Sequence, residues 1–141
     1  MDPDQFFNEL ILEFPTLKEK IDDWDSESTH PKMEVFAVYT KDQILMNDLS
    51  EIKKCFQFQE RRIELADDNL INCITVSYCE SILLGRPGTR IEKVTTLMGP
   101  RLLKLYTDYE KQIMNLARDL SKIRTAYNTS VASCRRRSNE S

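Results

Sequence analysis

Eight apolar residues in the last third of the chain, Leu102, Tyr106, Tyr109, Ile113, Leu116, Leu120, Ile123 and Tyr127, are spaced 4, 3, 4, 3, 4, 3, 4. That spacing puts all eight on one stripe of an α-helix, an unbroken a/d seam. A strand cannot use it, because strand side chains alternate faces with a period of two. From Arg101 to Asn128 such a helix is about 42 Å long at 1.5 Å per residue, against about 30 Å for the width of a small domain. Its last turns are therefore expected to overhang the core or to pair with another chain, which makes Tyr109, Leu116, Leu120, Ile123 and Tyr127 the candidate partner-binding residues.

The rest of the chain reads as shorter helices. Asp2 can cap a first helix with Pro3 at its first position, and Phe6, Phe7, Leu10, Ile11 and Phe14 form its apolar face. Pro15 ends it, and Leu17, Ile21 and Trp24 mark a second short helix. Residues 25–32 have turn composition and read as a loop carrying the single histidine, His30. Met33 to Met46 has the weakest periodicity and is read as helix because no partner strand is evident. After an Asn47-Asp48 turn, Ser50 can cap a helix that buries Ile52, Cys55, Phe56 and Ile63 and turns Lys53, Lys54, Arg61 and Arg62 to water. Asp67 caps the next, whose Leu70, Ile71, Ile74, Tyr78, Ile82 and Leu83 surround it on more than one side, the mark of a central helix.

Gly85-Arg86-Pro87-Gly88 breaks the chain. It is not a phosphate loop, since Thr89-Arg90 follows where Lys-Ser/Thr is required. Ile91 to Met98 is a short helix, and Pro100 opens the long one. The expectation is an all-α fold: a compact bundle of about six or seven helices forming one domain, 1–128, with a disordered arginine- and serine-rich tail, 129–141. With 141 residues the chain can bury roughly 68–70% of its unfolded surface without staples.

Candidate chemistry is sparse. Cys55, Cys73, Cys79 and Cys134 show no CxxC spacing, so a zinc site has no support. The first three read as small buried hydrophobes, and Cys134 as an exposed thiol beside Arg135-Arg136-Arg137. Asp23, Asp25, Glu27 and Glu34 imitate positions 1, 3, 5 and 12 of an EF-hand, but Ser28 replaces the turn glycine. His30 has no evident nucleophile partner, and a Cys–His pair would have to form across the fold. Glu60 and Glu80 lack the Glu-x-x-His pattern of a di-iron site and are read as ion-pairing or helix-capping groups. No cofactor or metal is expected. Asn128 and Asn139 begin sequons that read as chance matches without a secretion signal.

Net charge is −3 and it is divided unevenly. Residues 1–97 hold 11 Lys/Arg against 19 Asp/Glu, net −8, and residues 98–141 hold 9 against 4, net +5. An acidic body favours a basic partner. The three-arginine run lacks interleaved aromatics, so nucleic-acid reading through the tail is weakly supported. With an acidic start and no long apolar run, the expectation is a cytoplasmic protein that does not enter the membrane.

Phe6-Phe7 with Glu9-Leu10, Glu13-Phe14-Pro15 with Leu17-Lys18, Phe56, Phe58 and Glu60, Asn72, Ile74, Val76-Ser77-Tyr78 and Glu80, and Leu97-Met98-Gly99-Pro100 with Leu102 form a set across residues 4–106. In these the chain resembles a family of small bacterial all-helical domains of unknown function, some of them near toxin-immunity loci. The resemblance implies an all-helical fold and supplies no catalytic residue. The long final helix and the arginine tail depart from it. The functional expectation is a non-enzymatic helical protein-binding module, immunity-like or regulatory, binding another protein or itself through the last helix. The alternatives are a metal-dependent or cysteine-based enzyme whose residues converge only in the fold, and weak nucleic-acid binding through the tail.

Overall fold

A computed structural model describes residues 1–84 and 89–139, with side chains through 83 and over 92–130. Among these residues every regular element is a helix. The order is α1 (Pro3–Glu13), a 3-10 turn (Pro15–Leu17), α2 (Lys18–Asp22), α3 (Thr29–Leu45), α4 (Leu49–Ile63), α5 (Asp68–Cys73), a π-helical segment (Ile74–Cys79), α6 (Glu80–Leu84), α7 (Thr89–Val94), a 3-10 turn (Thr95–Leu97) and α8 (Pro100–Asn139). With the end-to-end stretch 68–84 counted once, the described residues hold seven α-helices, in line with the expected bundle.

Several boundaries follow the expected chemistry. Asp2 accepts from Gln5 N at 2.9 Å and Asp67 from Leu70 N at 2.8 Å, each satisfying an orphan donor of a first turn. Others differ. His30 and Pro31 are not in a loop: α3 starts at Thr29, because proline is tolerated in a first turn. This also makes residues 29–34 of the EF-hand imitation helical, while Asp25 accepts from Ser28 Oγ and Glu27 N in a local turn. Asp48, not Ser50, caps α4, accepting from Glu51 N at 3.2 Å. Asn47 makes the preceding turn with φ 56°, a conformation that asparagine tolerates better than most residues.

α3 is the hub and packs against α1, α2, α4, α5, the π segment, α6 and α7. Its buried face mixes Met33, Phe36, Ala37 and Ile44 with Thr40 and Gln43, which is why its periodicity is blurred in the sequence. Around it the rings of Phe6, Phe14, Phe36, Phe58 and Tyr78 form a chain of edge and tilted contacts, from Phe6–Phe58 at 5.3 Å to Phe36–Tyr78 at 5.1 Å between centroids. Arg62 does not turn to water. Its guanidinium lies 3.5 Å over the Phe58 ring, between Glu9 and Glu13 at 3.7 Å each.

The chain divides into two compact units, Met1–Tyr109 and Glu110–Ser141, the division falling inside α8. α8 spans Pro100–Asn139. The side chains of the arginine run and of Cys134, and the chain break at 85–88, lie outside the described residues. Among the described residues no helix is long and apolar enough to cross a membrane.

Candidate functional site

Helix α8 begins without a capping side chain of its own. Gly99 takes the cap position, its carbonyl accepting from Leu103 N at 2.9 Å. The missing acceptor comes from α4: Glu60 takes hydrogen bonds from Arg101 N at 3.0 Å and Leu102 N at 2.8 Å. A carboxylate at this end also meets the positive pole of the helix dipole. A Cβ on Gly99 would lie 2.6 Å from Glu60 Oε2, so a larger residue there makes the Glu60 side chain shift from its capping position. Glu60 is thus a capping residue, one of the two roles expected of it.

The seam divides by burial along α8. Leu102 and Tyr106 are buried, and Tyr109 and Ile113 are half-buried. Burial and a hydrogen bond with Glu80 push the Tyr109 phenol above its usual range. Leu116, Leu120, Ile123 and Tyr127 are 54, 57, 64 and 68% exposed. Counting heptads from Tyr106 at a, Ile113, Leu120 and Tyr127 occupy a, and Tyr109, Leu116 and Ile123 occupy d. Asp119 then falls at g and Arg124 at the following e, five residues on.

A second constellation was not legible in the sequence. His30 on α3 and Ser77 on the π segment, 47 positions apart, have Nδ1 and Oγ 2.6 Å from each other. They open on a cleft of about 610 Å³ that Glu34, Lys41, Glu80 and Ser81 also line. Lys41 Nζ donates to Ser81 Oγ at 2.9 Å. Beside this cleft, Tyr78 is fully buried. The Thr40 hydroxyl donates to Phe36 O at 2.9 Å, so the Tyr78 hydroxyl, 2.8 Å away, is the donor to Thr40. π turns recur at functional positions, and this one lets the neighbours Ser77 and Tyr78 both bond to α3. Neither spacing nor composition carries a signal for the His30–Ser77 pair, because it exists only through helix packing.

The cysteines join neither constellation. Cys55, Cys73 and Cys79 are buried free thiols. Burial pushes them up to about 12, about 11 and about 12 respectively, the opposite of what a nucleophilic thiolate needs.

No curated protein and no solved structure matches the chain. A family model, described as a domain of unknown function (DUF7674), matches residues 7–115. The match takes in the core, the π segment and the Glu60–Gly99 junction, and it ends one residue before Leu116. On that match, the chain belongs to the DUF7674 family of domains of unknown function.

Proposed function

We propose that the protein is a cytoplasmic binding module that works by association, and that its partner through α8 is a second copy in a parallel coiled coil. The observation that carries this reading is the exposed stripe Leu116, Leu120, Ile123 and Tyr127, a continuation at heptad spacing of residues buried at its start. Four large apolar side chains in register are the surface another helix of the same period covers. Parallel pairing sets Asp119 of one copy against Arg124 of the other, twice by symmetry, whereas antiparallel pairing loses that g–e match. Ile113 at a with Leu116 at d is the two-strand pattern, and Leu120 at a with Ile123 at d favours more strands. The exposed part spans only about two heptads, so the affinity is expected to be micromolar. The three buried thiols are in keeping with a reducing compartment.

Light scattering across a concentration series tests this. The parent chain is expected to self-associate, and Leu120→Asp with Ile123→Asp to be monomeric at unchanged helicity. In a Cys134→Ser background, Leu120→Cys is expected to form a disulfide-linked dimer, because a parallel seam places equal residues side by side. A monomeric parent chain, or a Leu120→Cys variant that does not cross-link, overturns the reading.

The His30–Ser77 contact favours a second reading, a serine nucleophile with His30 as base. Ser77 sits inside a helical segment whose backbone N–H groups serve its own ladder, so side chains alone would have to hold a developing oxyanion, which is why association is preferred. Labelling of Ser77 by a fluorophosphonate, lost in His30→Ala, would establish the second reading. Absence of labelling removes it.

A further inference from the structure

A groove of about 400 Å³ runs between the 17–24 segment and the face of α3 opposite the core. Leu17, Trp24, Pro31, Val35 and Val38 are its apolar lining. Trp24 and Val38 are 48 and 41% exposed. Along α3 the groove presents Glu34, Val38 and Asp42, four residues apart each, so two carboxylates flank an apolar centre on one helix face. They stand about 12 Å apart along the axis. Lys20 is the single cation among the described lining residues, while Asp23 and Asp25 flank Trp24 in the sequence. Tyr39 forms a wall, its hydroxyl fixed by donation to Glu51 at 2.6 Å. The unit that holds the groove, residues 1–109, carries 13 Lys/Arg against 20 Asp/Glu, net −7.

We propose that this groove docks a basic amphipathic helix of another protein, its apolar side chain seated between Trp24 and Val38 and its Lys or Arg side chains paired with Glu34 and Asp42. An acid–apolar–acid row selects a base–apolar–base row, and an exposed indole favours a cationic side chain over its face. A helix fits the groove because the carboxylates are about two turns apart, the distance between equivalent positions on a partner helix. This occupant is distinct from the second copy that meets α8.

The test is fluorescence anisotropy with a labelled synthetic helical peptide carrying Arg and Leu at alternating four-residue steps, against the same peptide with Glu for every Arg. The Arg peptide is expected to bind at micromolar concentration and the Glu peptide not to bind. Trp24→Ala is expected to weaken the Arg peptide by about tenfold or more, the loss typical of an aromatic anchor. Glu34→Lys with Asp42→Lys, both at exposed positions, is expected to exchange the preference to the Glu peptide, a gain that misfolding cannot produce. Equal binding of the two peptides, no binding of either, or no exchange in the Lys variant overturns the proposal. So does tighter binding of a peptide spanning residues 110–130 of this chain, which would make the occupant another copy.

Discussion

Glu60 and Gly99 show how far one contact can reach. The carboxylate satisfies two backbone donors at the start of a helix 40 residues away in sequence, and the glycine leaves room for it. Glu60→Ala leaves those donors without their acceptor and is expected to cost about 1–2 kcal/mol. Gly99→Ala drives a methyl group into the carboxylate and is expected to cost about 1–3 kcal/mol. Because both act on one junction, the double variant should cost less than the sum of the two, and urea denaturation of all four proteins checks this. The buried thiols make a different prediction at the same scale. Folding raises Cys55, Cys73 and Cys79 from 9.0 to about 12, 11 and 12. The unfolded chain therefore releases protons that the folded chain keeps, and the stability these groups give is complete below pH 9 and falls between about pH 9 and 12. Stability against pH is expected to be less steep in that window for Cys79→Ala, by on the order of 1 kcal/mol per pH unit.

At the scale of elements, the contact between α3 and the π segment includes one buried hydroxyl pair, Thr40 with Tyr78. Thr40→Val removes the acceptor and strands the Tyr78 hydroxyl in the core, at about 1–3 kcal/mol, whereas Tyr78→Phe removes the donor and leaves Thr40 its bond to Phe36 O, at about 1 kcal/mol. A double-mutant cycle by thermal and urea unfolding should therefore show positive coupling, and additive costs would refute the pairing. The same elements show what local pattern carries. Caps at Asp2 and Asp67, the stop at Pro15 and the start at Pro100 are legible because each depends on residues within one turn. The α3 start at Thr29 is not legible, because Pro31 signals a break and a first turn alike. Charge alone places Arg62 in water, yet a guanidinium can be buried when a ring lies beneath it and carboxylates lie beside it. Glu60 as the α8 cap was one of two roles its residue type allowed, and the His30–Ser77 pair was out of reach, since both depend on which helices become neighbours. The π segment has no residue signature at all.

The whole molecule is electrically uneven: residues 1–109 carry net −7, and residues 110–141, with 7 Lys/Arg against 3 Asp/Glu, carry net +4. Parallel pairing through Leu116, Leu120, Ile123 and Tyr127 sets two positively charged segments side by side. The Asp119–Arg124 pairs are exposed and offset this by well under about 1 kcal/mol each. Repulsion between the two helices is therefore screened as the Debye length shrinks from about 10 Å at 0.1 M salt to about 3 Å at 1 M, while apolar contact is left intact. Self-association is expected to strengthen with salt. Binding of a basic helix in the acidic Trp24 groove, which is attraction across opposite charges, is expected to weaken over the same range. Mass action then links assembly to stability: Tm should rise with protein concentration, and more steeply at high salt, because only folded α8 presents the stripe. In Leu120→Asp with Ile123→Asp, Tm should be independent of concentration and equal to the dilute limit of the parent chain, both positions being exposed in the single copy. Calorimetry of the two proteins across concentration and salt distinguishes the cases. A parent Tm that ignores concentration, or an association that fades as salt is added, would mean that the stripe does not join two copies in parallel.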